Sequence, residues 1–131
     1  MCSNGNLTEK KILLVEDDAD LLELVSLKLT TEGFKVIKAV TGQQAIDFLK
    51  KELPSLVLLD IMLPDIDGLT VLNEIANHEE TKNLPVIILS NIADEGSFEQ
   101  AAAIGKYEYL VKSRVDLNEL VKKIKEKLLV Q

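Results

Sequence analysis

The sequence predicts a doubly wound α/β domain, with five parallel strands in the order 2-1-3-4-5 and five helices shared between the two faces of the sheet. Two observations carry this prediction. Short unbroken apolar runs alternate with longer amphipathic stretches along the 131 residues. The runs lack the polar alternation of a half-solvated sheet, as expected for strands covered on both sides. Strand–helix–strand succession then implies crossovers within one parallel sheet.

Each element has its own signal. The first run is Ile12-Leu13-Leu14-Val15, followed by a helix over 19–31 with Leu21, Leu22, Val25 and Leu29 at helical spacing. Gly33 supplies its left-handed stop. The second run, 34–39, is interrupted by Lys35 and Lys38, which assigns it to the sheet edge. Thr41-Gly42-Gln43-Gln44 reads as a capping box opening the second helix, closed by Pro54. The third run, 56–59, precedes a helix over 69–77, and the fourth, 86–89, precedes a weaker helix over 95–104 that contains Gly96 and Ser97. The last run is 107–111, and Asp116-Leu117-Asn118-Glu119 caps the final helix through 129. Element number and chain length select the flavodoxin-like order, in which ligands sit beyond the carboxyl ends of the strands.

Composition narrows the function. The chain is 47% hydrophobic and 28% charged, with 15 basic against 22 acidic residues and a formal charge of −7. An unaided grip on a nucleic-acid backbone needs clustered cations, so direct nucleic-acid binding is not expected. Cys2 lies in a polar leader (MCSNGN), and a single cysteine cannot form an internal disulfide, which suits a reducing cytoplasm. No apolar run approaches the ~18 residues that cross a bilayer, so membrane insertion is not expected. The predicted organisation is a flexible leader over 1–9 and one domain over 10–131.

Reactive or charged residues end four of the five runs. Strand 1 ends in Glu16-Asp17-Asp18, strand 3 in Asp60, strand 4 in Ser90 and strand 5 in Lys112. Singly each has a plain reading: Asp17 and Asp18 suit a helix N-terminus, Asp60 and Ser90 suit turns, and Lys112 suits a wet surface. Together they point elsewhere. Strands 1 and 3 are neighbours in the predicted order, so Asp17, Asp18 and Asp60 converge at one rim. Like charges ~4 Å apart repel by ~4 kcal/mol at an effective dielectric of 20. Compensation falls to Lys112 and a divalent cation, and an oxygen-only site without histidine suits Mg²⁺ over zinc. The matching chemistry is phosphoryl transfer to a carboxylate. Asp60 attacks phosphorus, Lys112 and the ion neutralise charge, and the Ser90 hydroxyl donates to a phosphoryl oxygen.

These residues resemble, over nearly the whole chain, the receiver domain of two-component response regulators. The resemblance rests on Asp17-Asp18, on Asp60-Ile61-Met62-Leu63-Pro64-Asp65-Ile66-Asp67-Gly68, on Ser90 and on Tyr109-Leu110-Val111-Lys112. It implies that Asp60 is phosphorylated by a histidine kinase or phosphotransfer protein. It also implies Mg²⁺ held by Asp18, Asp60 and the Met62 backbone carbonyl, with Asp17 acting through water. Ser90 and Lys112 would hold the phosphoryl group. Tyr109, read from the sequence alone as a packing residue, becomes by resemblance an aromatic switch coupled to Ser90. The implied output is an altered protein-binding face formed by helix 4, strand 5 and helix 5. Its partner is a downstream protein or effector domain, and phosphorylation-dependent pairing of two copies is a further implied state.

The chain departs from the family pattern in places. Ser113 follows Lys112 where the family has proline after a cis bond; without proline cis costs ~2.5–4 kcal/mol, so a trans or strained cis bond is expected. Asn91 replaces a small residue beside the phosphate, and Lys106 replaces an alanine near the output face. Met62 and Ile92 are apolar where the family flanks the water that hydrolyses the acyl phosphate, which predicts slow dephosphorylation.

Other functions fit less well. A haloacid-dehalogenase-like aspartyl phosphatase places a DxD nucleophile after its first strand and its acidic pair late, the reverse of the order here. A flavodoxin-like FMN carrier needs a Ser/Thr-rich phosphate loop where Glu16-Asp17-Asp18 stands. The expected role is therefore a phosphoacceptor switch rather than an enzyme.

Overall fold

A computed structural model describes residues 10–90, 95–105, 107–114 and 116–129, with the side chains of residues 95–98 and 129 outside that description. Expectations resting on the leader 1–9 with Cys2, and on Asn91, Ile92 and Lys106, lie outside the described residues. The elements follow in the order β1 (Lys11–Val15), α1 (Ala19–Thr31), β2 (Lys35–Ala39), α2 (Gly42–Lys51), β3 (Leu56–Asp60), α3 (Gly68–Asn77), β4 (Val86–Ser90), α4 (Glu95–Ile104), β5 (Glu108–Val111) and α5 (Leu117–Leu129). All neighbouring strands are parallel, and the sheet order is β2-β1-β3-β4-β5.

Two-residue periodicity sorts the strands' side chains into two cores. Leu13, Val15, Val57, Leu59, Val86 and Ile88 pack with residues of α2, α3 and α4, such as Ala45, Leu72 and Ala101. Ile12, Leu14, Leu56, Leu58 and Ile87 pack on the other face with Leu22, Val25 and Leu29 of α1 and Leu120 and Ile124 of α5. Every residue of β3 and β4 is buried, whereas β2 exposes both of its lysines, as an edge strand should.

The helix ends follow local chemistry. Helix α1 stops in a Schellman motif: Gly33 adopts φ 99°, its N–H donates to Thr30 O at 3.0 Å, and the Phe34 N–H donates to Leu29 O at 3.0 Å. Thr41 caps α2, its Oγ1 accepting from the Gln44 N–H at 3.1 Å. The Gln44 side chain reaches back one residue further than a standard capping box, to the Val40 N–H at 2.8 Å. Asp116 caps α5 by accepting from the Asn118 N–H at 2.9 Å. Lysines of α5 make ion pairs, Lys125 with Glu32 and both Lys123 and Lys127 with Glu108. No helix of the described residues is long and apolar enough to cross a membrane.

Candidate functional site

Strands β1 and β3 run side by side with Ile12 opposite Leu56 and Val15 opposite Leu59. One step further, Glu16 and Asp60 stand side by side at the carboxyl ends of their strands. The Glu16 N–H still donates to Ala39 O on β2 at 3.0 Å, so this residue extends the sheet pairing rather than starting the loop. Both acids are 1% exposed. Two-residue periodicity aims both toward the α1/α5 face, together with Lys112 beyond β5.

Lys112 binds the two acids together. Its N–H donates to Ser90 O at 2.7 Å, fixing the backbone, and its Nζ donates to Asp60 Oδ2 and Glu16 Oε2, both at 3.1 Å. Asp60 Oδ1 accepts from the Met62 N–H at 3.1 Å, and Glu16 Oε2 also accepts from the Asp18 N–H at 3.0 Å. Burial pushes the Glu16 carboxyl above the ordinary range, with Asp60 adding to the rise and the Asp18 amide and Lys112 opposing it. Burial acts to lower the Lys112 ammonium, but hydrogen bonds from it to Glu16 and Asp60 outweigh that and raise it.

The structure groups the acidic residues differently from the sequence reading. Carboxylate oxygens of Glu16, Asp17 and Asp60 lie within 4.8 Å of one another. Asp18, assigned from the sequence to this cluster, instead caps α1, with Oδ1 accepting from the N–H groups of Asp20 at 3.0 Å and Leu21 at 3.2 Å. The sheet extends through Glu16 and the helix begins at Ala19, which leaves Asp18 at the cap. The missed residue, Glu16, had a signal in the sequence. The strings Ile12-Leu13-Leu14-Val15-Glu16 and Leu56-Val57-Leu58-Leu59-Asp60 align term by term, four apolar residues and then an acid.

Three carboxylates and one ammonium leave a net charge of −2 in a half-buried cleft. Glu16 Oε1 lies 3.0 Å from Lys112 Nζ yet is buried with no hydrogen-bond donor of its own. An all-oxygen donor set with a deficit of two charges and an unsatisfied carboxylate oxygen fits a hard divalent cation such as Mg²⁺. Asp17, exposed beside two buried acids, offers the solvent-facing oxygen.

Of the remaining candidates, Ser90 is fully buried at the end of β4, one residue beyond Leu89, the cross-strand partner of Asp60. Tyr109 is half-buried on β5 and packs against the α2/α3/α4 core. Met62 is 57% exposed, and its backbone N–H takes part in the cluster's hydrogen bonding. The Lys112–Ser113 bond is trans.

The model of the response regulator receiver domain matches residues 12–125. The chain therefore belongs to the response regulator receiver domain family of two-component signalling, whose members are signalling switches. It is 35% identical over 104 residues to the "Probable transcriptional regulator ycf27" of Porphyra purpurea, covering 79% of this chain and 42% of that one. The chain thus spans about two fifths of the length of the first of the curated relatives it matches, and 22% of the response regulator PleD of Caulobacter vibrioides. A CheY-like receiver domain from Methanospirillum hungatei superposes with a TM-score of 0.83 at 31% identity, covering 92% of this chain and 94% of that one. The receiver domain of a sensor histidine kinase from Pseudomonas aeruginosa, solved with a magnesium ion coordinated in its active-site cleft, superposes with a TM-score of 0.83 at 28% identity, covering 94% and 99%.

Proposed function

We propose that residues 10–131 act as a phosphoacceptor switch in which Asp60 takes a phosphoryl group from a histidine of a kinase or phosphotransfer protein. The observation that carries this is the position of Asp60. It is buried at the carboxyl end of a central strand, held by Lys112 and crowded by two further carboxylates. Glu16, Asp17, Asp60 and the Met62 carbonyl would hold Mg²⁺, which when bound offsets negative charge between the carboxylates and the phosphoryl oxygens.

The chain's own groups do the rest. Asp60 Oδ1 is oriented by the Met62 amide, and Oδ2 by Lys112. An Asp60 oxygen attacks phosphorus, the bond from phosphorus to the donor nitrogen breaks, and that imidazole nitrogen retains the electron pair. Lys112, already an ammonium, turns from the carboxylate to the new phosphoryl oxygens, and the Ser90 hydroxyl donates to one of them. Drawing Ser90 toward phosphate opens space for Tyr109 and alters the face of α4, β5 and α5, where a downstream protein, an effector domain or a second phosphorylated copy would bind. The chain's net charge of −7 argues for signalling through protein contacts rather than by gripping nucleic acid itself.

Incubation with a small acyl phosphate and Mg²⁺ tests the reading. Intact mass should rise by one phosphoryl group in the wild type and stay unchanged in Asp60→Asn; equal labelling of both would remove Asp60 from the role. The exposed, apolar Met62 side chain cannot orient a hydrolytic water, so Met62→Asn should shorten the phosphate lifetime severalfold. An unchanged decay, followed by loss of the phosphorylated mass, would dismiss that explanation.

A further inference from the structure

Residues 61–67 link β3 to α3, and the chain pins them at both ends. At the base, the Gly68 N–H donates to Ile61 O at 2.9 Å. At the start of α3, Asp67 Oδ1 accepts from the Leu69 N–H at 3.1 Å. The tip, Met62-Leu63-Pro64-Asp65, is held by another element altogether. Asp65 Oδ1 accepts from the Gly42 N–H at 2.8 Å, and Oδ2 accepts from the Gln43 N–H at 3.0 Å.

Gly42 and Gln43 open α2, so their N–H groups have no partner within the helix. Thr41 satisfies only Gln44, and Asp65 supplies the rest of the cap from across the cleft. The fit is close: a Cβ added to Gly42 would lie 3.0 Å from Ile66 Cβ and 3.1 Å from Val71 Cγ2. Desolvation disfavours the charged carboxyl, but the Gly42, Gln43, Ile66 and Asp65 amides together outweigh it and hold the Asp65 carboxyl below its usual range.

We propose that Asp65 is a positioning residue for the acidic site. By clamping the loop tip to α2, it orders the Met62 carbonyl during folding, before any cation arrives. Ion binding then carries no cost for ordering the loop. The inference rests on the reading of Glu16, Asp17 and Asp60 as a Mg²⁺ site, and it assigns part of that site's affinity to a residue that touches no ion.

Calorimetric titration with Mg²⁺ of the wild type, Asp65→Ala, Asp65→Asn and Thr41→Ala separates the possibilities. Asp65→Ala should weaken Mg²⁺ binding about 10-fold, the scale of lost supporting contacts at metal sites. Asp65→Asn keeps one acceptor oxygen and should fall between Asp65→Ala and the wild type; it decides the matter if Asp65→Ala does not fold. Thr41→Ala removes the other cap of the same helix without touching the loop, and should keep the wild-type dissociation constant. Wild-type affinity in both Asp65 variants would overturn the proposal, and so would equal weakening by Thr41→Ala, which would trace the effect to helix stability alone. A wild type that binds no Mg²⁺ would instead overturn the reading of the acidic site, and this inference with it.

Discussion

Lys112→Met is expected to destabilise the protein in chelating buffer by about 3–5 kcal/mol, the scale on which a buried ion pair loses one partner. Methionine keeps most of the apolar stem but leaves Glu16 and Asp60, 1% and 2% exposed at their side chains, without a counter-charge. Two acids facing each other repel by several kcal/mol at the dielectric of such a site. The pH dependence gives the sign of the effect. In the wild type the Lys112 ammonium is raised above its ordinary value. Its contribution is therefore fully present below the unfolded lysine value and is lost as pH rises through the folded one. In the variant, Glu16, already raised by burial in the wild type, loses the opposing Lys112 charge, so the deficit should shrink on acidification toward the ordinary carboxylate range. Millimolar Mg²⁺ should also narrow it, because the variant's site carries one more uncompensated negative charge and binds the ion more tightly in the folded state. Urea unfolding in chelator and in Mg²⁺ measures both. A variant with the wild-type midpoint and slope in chelator would show that Lys112 does not balance the cleft.

Gly68→Ala should destabilise the protein, with a loss of at least about 2 kcal/mol from forced backbone displacement. A Cβ at this position would stand 2.5 Å from Ile61 Cα, 2.6 Å from Asp60 O and 2.8 Å from Ile61 O. All three are backbone atoms, so no rotamer change relieves the overlap. Helix propensity alone predicts the opposite sign, since Ala in place of Gly within a helix gains about 1 kcal/mol. Thermal unfolding therefore discriminates cleanly. Stabilisation by Gly68→Ala would mean that the loop after Asp60 is not packed as described. A destabilised variant that still folds should also take up phosphate more slowly, because the displaced atoms belong to Asp60 and its neighbour.

The fold was legible for reasons that can be named. Unbroken runs such as 56–59 and 86–89 occur where helices cover both faces, and the lysines of β2 mark the place where they do not. Caps at Gly33, Thr41 and Asp116 bound helices because each side chain or backbone angle acts within a few residues. Asp60, Ser90 and Lys112 could be placed at one rim because strand ends in a parallel sheet all open on the same side. The choice among Glu16, Asp17 and Asp18 was harder, because three consecutive acids satisfy the same composition argument and differ only in which way each side chain points.

The sequence by itself determined the element order and the sheet order, and it placed Asp60, Ser90 and Lys112 at strand ends, since these follow from local periodicity and chain direction. Tertiary structure alone decided that Glu16 joins Asp17 and Asp60 while Asp18 caps α1, because that depends on where β1 stops pairing with β2 and β3. It also decided that Asp65 reaches across to α2. A hydrogen bond between residues more than 20 positions apart depends on the packing of loop against helix, and no local rule encodes it.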